Sequence, residues 1–315
     1  MIFKQQRQQH FNINIITVVL SISIIAIVVF GHSQPLLSTR EEFIEKIDGY
    51  LDNESLFDDL LKNHHYYSTA NRHVIEEYYR GAFKRIRNRL SIPSHRISFD
   101  PPTYNQTVID AFASKILLNP QQNLTWNPYD IVGFNTTLND SVCAVLYPND
   151  SDRSTYYLVN YTSADAAIEA GAFVTHLHDC GYCSTTKDLA SYMSHPDLTD
   201  PIRDCAIVSF VSDKDSLECI QHSANLTYNC AVIWLYDALN TRKDCLDICL
   251  IDWIMHTPNN VPPNSTTLNK CLQCDEDMSG PVFKVVAART RRDSGLESAI
   301  NRPPDSIYNI THYYY

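Results

Sequence analysis

The chain has 315 residues, a formal charge of −11 and 44% hydrophobic residues, enough to bury one good-sized core. Eight glycines against nineteen tyrosines exclude fibrous and low-complexity classes. The acidic balance argues against a nucleic-acid partner, because phosphate contacts need a concentrated basic surface.

Lys4 and Arg7 precede an uncharged stretch, Phe11 to Gly31, with an apolar centre from Ile15 to Phe30. Counted over residues 13–31 this segment is long enough to span a membrane. Gly31-His32-Ser33 equally resembles a cleavage site before Gln34. Two readings therefore stand, a signal-anchor with a cytosolic N-terminus and a removable signal peptide. Both place the bulk of the chain outside the cell or in a lumen. Cysteine usage agrees: all ten lie between Cys143 and Cys274, an even set suited to an oxidising compartment. Ten Asn-x-Ser/Thr sequons agree as well, beginning at Asn53, Asn105, Asn123, Asn135, Asn139, Asn149, Asn160, Asn225, Asn264 and Asn309. Chance alone gives roughly three or four.

Ser38 or Thr39 with Glu41 or Glu42 forms a capping box before helical periodicity at Phe43, Ile44, Ile47, Tyr50 and Leu51. A second helix is predicted from Ser68 to Leu90. Its strip of Arg80, Lys84, Arg85, Arg87 and Arg89 reads either as a solvated face or as a lipid-headgroup contact. A third is predicted from Tyr104 to Leu118. Val142–Tyr147 and Tyr156–Tyr161 read as a hairpin across Pro148-Asn149-Asp150-Ser151. Ser163 caps a helix to about Ala172, and Ala172–Leu177 is left open between strand and helix end. Further helices are predicted at Thr185–Met193, Asp213–His222, Asn229–Leu239, Thr241–His256 and Leu296–Asn301. The expected fold class is a helix-dominated α+β, disulfide-rich ectodomain with a small β-hairpin. Its parts are 1–34 (leader), 35–124 (helical), 125–302 (cysteine-rich) and a tail, 303–315.

The segment His176-Leu177-His178-Asp179-Cys180-Gly181-Tyr182-Cys183-Ser184 is the one most suggestive of chemistry. A CxxC opening a helix lowers the pKa of its first thiol, and His176 and His178 stand ready to assist. Locally this resembles the dithiol of thioredoxin-fold proteins over about ten residues, which implies thiol–disulfide exchange at Cys180 and Cys183. The bland alternative is that each pairs elsewhere, with Cys143, Cys205, Cys219, Cys230, Cys245, Cys249, Cys271 and Cys274 supplying partners. Cys245 and Cys249 share a helix face and should bond outward to different cysteines. Cys271 and Cys274 mirror the first CxxC at a distance too long for a zinc ribbon, so no metal is expected. His176-x-His178 would share a strand face but lacks a third ligand. Asp275-Glu276-Asp277 reads as a solvated turn. Arg289-Thr290-Arg291-Arg292 reads as an anion-binding or ion-pairing cluster (Arg289, Arg291, Arg292) or as a convertase site.

Cys180-Gly-Tyr-Cys-Ser, Cys271-Leu-Gln-Cys-Asp-Glu-Asp, Ser279-Gly-Pro-Val-Phe-Lys and Arg289-Thr-Arg-Arg together resemble an uncharacterised family of cysteine-rich eukaryotic proteins, over about Cys143 to Arg302. The resemblance implies a single coherent domain, assigns no activity and favours the basic run as part of the fold. The expected function is a non-catalytic, N-glycosylated binding or structural module. It needs no cofactor, has an unknown protein or glycan ligand, and contacts membrane through residues 13–31 if uncleaved. The alternatives are the Cys180/Cys183 oxidoreductase and a hydrolase-type enzyme built on His176, Asp179 and the arginine run.

Overall fold

A computed structural model describes residues 103–315 apart from 210–211 and 255–256, together with Asp52. The leader, the Asn53 sequon and the helices expected before residue 103 lie outside the described residues. Among the described residues no helix is long and apolar enough to cross a membrane.

The order of elements is α1 (Gln106–Ala113), β1 (Ile116–Leu117), β2 (Val142–Leu146), β3 (Thr155–Tyr161), α2 (Ala164–Glu169), β4 (Phe173–Leu177), α3 (Thr186–Ser194), α4 (Thr199–Val208), α5 (Asp213–Ala224), α6 (Tyr228–Ile254), α7 (Lys270–Met278) and α8 (Gly280–Val286). The result is helix-rich with one small sheet of order β1-β3-β2-β4. The expected hairpin is its centre: β2 and β3 pair antiparallel, Val142 opposite Tyr161 and Leu146 opposite Tyr157. β4 joins the other edge of β2, with a register shift between Cys143 and Ala144, which settles Phe173–Leu177 as strand. The end of the predicted third helix becomes β1, paired parallel with β3.

Local chemistry explains the boundaries. Asn105, Ser163, Thr185, Ser212 and Asn269 each accept a hydrogen bond from a first-turn backbone N–H, filling a donor that helix geometry leaves open. Alternation along β2 sends Val142 and Ala144 to a small cluster with Ala167 and Ala172, and Val145 to the main core. That core also takes Phe112 of α1, Leu189 and Tyr192 of α3, Ile220 of α5, Ile233 of α6, and Tyr314 near the C-terminus.

Three expectations need correction. The two helices expected either side of Asn240 form one helix, α6, because Asn240 and Thr241 satisfy their side chains on Ser279 and Asp275 instead of breaking the turn. Leu296–Asn301 is not helical: the N–H of Ala299 goes to Pro196 O and that of Asn301 to Asn260 Oδ1, so its donors serve other segments. Asp275–Asp277 is no turn; it lies within α7.

Candidate functional site

Ten cysteines form five disulfides, and none is free. Cys143–Cys180 ties β2 to the loop after β4, and Cys183–Cys230 ties that loop to α6. Cys205–Cys219 joins α4 to α5. Cys245–Cys274 and Cys249–Cys271 double-lock α6 to α7, so the outward-facing pair on α6 bonds to the second CxxC. Of the two readings of Cys180 and Cys183 the structural one holds and the dithiol alternative does not: the two sulfurs are consumed in separate bonds to distant elements. The loop follows β4 directly and is held to the α8–Arg289 segment by Tyr182 N–H to Val286 O (3.0 Å) and Cys183 N–H to Ala287 O (2.9 Å). A Cβ at Gly181 would meet Val286 O at 2.6 Å, so this close approach of two backbones requires glycine.

Behind that loop lies the largest fully buried side chain of the described residues, Arg289, at 0% exposure. All five of its N–H donors are used. Nε donates to Cys183 O (2.9 Å), Nη1 to Thr175 O (3.2 Å) and Ser294 Oγ (3.0 Å), and Nη2 to Thr175 Oγ1 (2.7 Å) and Ser184 O (2.9 Å). Among the described residues no carboxylate forms an ion pair with it. Its charge is answered through space by Asp188, itself buried and held by Thr185 and Thr227. Burial lowers the guanidinium pKa, but the fork geometry keeps every donor occupied.

His176 belongs to the same network. Its Nδ1 lies 2.7 Å from Leu177 O, which can only accept, so Nδ1 carries the proton. Nε2 then accepts from Ser184 Oγ (2.7 Å), and that oxygen in turn accepts from Gly181 N–H (2.7 Å). Burial, with the nearby Arg289 charge, holds His176 well below the usual histidine range, so it is neutral. A serine donating to a neutral imidazole has the hydrogen-bond pattern of a nucleophile and its base. Here both side chains are fully buried, so the pair is a bracket between strand and loop. Asp179 does not orient the imidazole; it receives Asn139 Nδ2 and Ser141 Oγ, both at 2.6 Å. His178, at φ 67°, turns to Asn139 O and shares no face with His176. The hydrolase constellation thus divides, with His176 and Arg289 together in the interior and Asp179 elsewhere. No group of three or more potential metal ligands occurs among the described residues.

The basic run divides in the same way. Arg291 is drawn inward, its guanidinium over the Tyr192 ring (5.5 Å) and donating to the carbonyls of His195 and Glu297; burial lowers its pKa to about 10. Arg292 alone of the three faces outward, to Glu276. That carboxylate also receives Lys284 Nζ and Arg302 Nη2, at 3.2 and 2.6 Å, with Arg292 at 3.4 Å. Each of these side chains keeps 17–28% exposure. Lys284 and Arg302 were missed from the sequence because they come from α8 and the C-terminal segment and meet only in the fold. Among them Arg302 carries a signal in hindsight: it lies just beyond Asn301, whose side chain pins the segment to Asn264 O and Ser265 O.

Beside this cluster two carboxyls lie close to one another, Asp237 buried and Asp275 half-buried. Burial raises Asp237 well above the usual carboxylate range, and the neighbouring Asp275 adds to it. Asp275 is raised to about 6 by burial and by Glu276, against the hydrogen bond from Thr241. Tyr129 Oη faces two acceptors, Asp237 Oδ1 (2.9 Å) and Ser279 O (3.1 Å), with a single proton to give.

A family of unknown function (DUF8771) matches residues 213–310, from the start of α5 past the arginine run. The match takes in α6, both cysteines of the second CxxC, Glu276 and its three cations, and leaves out the sheet and the first CxxC. No curated protein and no solved structure matches the chain.

Proposed function

We propose that this chain is a non-catalytic, disulfide-locked module of an extracellular or lumenal compartment that binds an anionic group through Lys284, Arg292 and Arg302. Five disulfides belong in an oxidising compartment. The observation that supports binding over catalysis is where the reactive groups lie. Cys180, Cys183, His176 and Ser184 are spent on disulfides or buried hydrogen bonds, whereas three cations converge on one carboxylate that keeps 23% exposure.

Three cations against Glu276 leave two positive charges uncompensated at that point. Asp275, its half-buried neighbour, offsets part of this only while ionised. Each cation spends one donor on Glu276, so Lys284 retains two N–H groups and each arginine four. A phosphate or sulfate monoester, with charge and several acceptor oxygens, complements that arrangement.

The test is titration with inorganic phosphate and inorganic sulfate, followed by calorimetry. Saturable binding is expected in wild type and is lost in the Arg292→Ala, Arg302→Ala double variant. Glu276→Gln removes the resident carboxylate and should tighten binding at least several-fold. Equal weak binding in all three proteins defeats the reading.

A further inference from the structure

Nine of the ten sequons begin within the described residues, and all nine of their asparagines are solvent-exposed. Asparagine is a surface residue in general, so this alone decides little. The comparison set is the eight described asparagines outside sequons, of which only Asn119 is exposed. Exposure therefore follows the sequon and not the residue type.

The carboxamide nitrogens divide along the same line. Outside sequons, Nδ2 is built into the fold at seven of eight positions: Asn259 donates to Asp197, Asn269 to Pro258 O and Asn229 to Gln122 O, and even exposed Asn119 donates to Leu158 O. Asn240, Asn260 and Asn301 complete the seven. Within sequons only Asn139 spends Nδ2, on Asp179. Where the other sequon side chains are engaged, the oxygen is used. Asn105, Asn135 and Asn149 accept from the N–H two residues on (2.8, 3.0 and 3.0 Å), and Asn160 accepts from Cys180 N–H (2.7 Å). Of the five engaged sequon carboxamides, four use the oxygen and Asn139 the nitrogen, so at eight of the nine sequons Nδ2 makes no hydrogen bond among the described residues.

We infer that Asn105, Asn123, Asn135, Asn139, Asn149, Asn160, Asn225, Asn264 and Asn309 are N-glycosylation sites that the folded domain is built to carry. The inference rests on the lumenal or extracellular reading above. In the transfer, Nδ2 bonds to the anomeric carbon of an oligosaccharide whose carrier is a lipid pyrophosphate. The bond from that carbon to the pyrophosphate oxygen breaks, and one amide proton is lost as the lipid pyrophosphate leaves. The product retains Oδ1 and one N–H, so the oxygen-centred bonds survive, as does the donation from Asn139 to Asp179. Glycans at the buried asparagines would instead displace core contacts.

The experiment is expression of the full chain in secretion-competent eukaryotic cells, enzymatic release of N-glycans in ¹⁸O-water and peptide mass mapping, with parallel alkylation of free thiols. The expected result is ¹⁸O-labelled aspartate at the nine positions and unlabelled asparagine at the eight others, with no alkylated cysteine. Translocated chain with all thiols oxidised and no label overturns the glycosylation inference while leaving the compartment intact. Alkylatable thiols together with no label overturn both.

Discussion

Arg289 donates its Nε–H to the backbone carbonyl of Cys183, joining the arginine run to the disulfide loop through the interior of the molecule (2.9 Å). Both ends of that contact read as chemistry in the sequence, one a reactive dithiol and the other an anion site. Together they form a structural joint. Removing the guanidinium leaves five buried acceptors without this donor, and a buried polar group left unsatisfied typically costs about 1–3 kcal/mol. Arg289→Ala should therefore lower the urea midpoint sharply. Arg289→Lys restores the charge but not the planar fork, and should still cost at least ~2 kcal/mol. A lysine variant as stable as wild type contradicts this role.

Stability should depend on pH through two opposed sets of groups. Asp237 and Asp275 have raised folded-state pKa values, Asp275 to about 6. Their contribution is complete below the ordinary carboxylate pKa and is lost as pH rises through the folded values. His176 is buried and His312 half-buried, and desolvation lowers both, His312 to about 4. Their contribution is complete above the ordinary histidine pKa and is lost as pH falls toward the folded values. Thermal melts from pH 4 to 8 should show that Asp237→Asn and Asp275→Asn flatten the fall on the alkaline side, while His312→Gln flattens the acidic side. Parallel curves for wild type and variants dismiss the assignment.

Gly181 offers a local test. A methyl group there would stand 2.6 Å from Val286 O and 2.7 Å from Ala288 Cβ, contacts that real Cβ atoms do not make. Gly181→Ala should destabilise by about 1–3 kcal/mol, as overpacking does, and should unlink the loop from the segment leading to Arg289. Hydrogen exchange at Tyr182 and Cys183 N–H should rise in that variant. Unchanged protection there argues against the backbone contact.

Local signals were readable from the sequence, and convergence was not. The β2–β3 hairpin follows from two β-branched and aromatic runs flanking a turn, and Ser163 marks its helix start because the capping bond is made within three residues. Helix α7 escaped notice because its Cys-Leu-Gln-Cys-Asp-Glu-Asp core carries two metal-like cysteines and three acids, and only the fold supplies Cys245, Cys249 and Thr241 to engage them. The outward pairing of Cys245 and Cys249 could be read from their spacing, but not that both would meet the second CxxC. Read locally, an arginine run looks exposed. Burial of Arg289 depends on carbonyls of Thr175, Cys183 and Ser184, more than a hundred residues earlier, and nothing local to the run announces them.

The central claim is that Cys180 and Cys183 are structural cysteines in a domain without thiol chemistry. A non-reducing proteolytic disulfide map of the natively expressed chain tests it most directly. Peptides joined Cys143–Cys180 and Cys183–Cys230, resistant to mild reductant, are the predicted result. A Cys180–Cys183 bond that opens selectively under the same reductant would contradict the account and return the loop to redox catalysis.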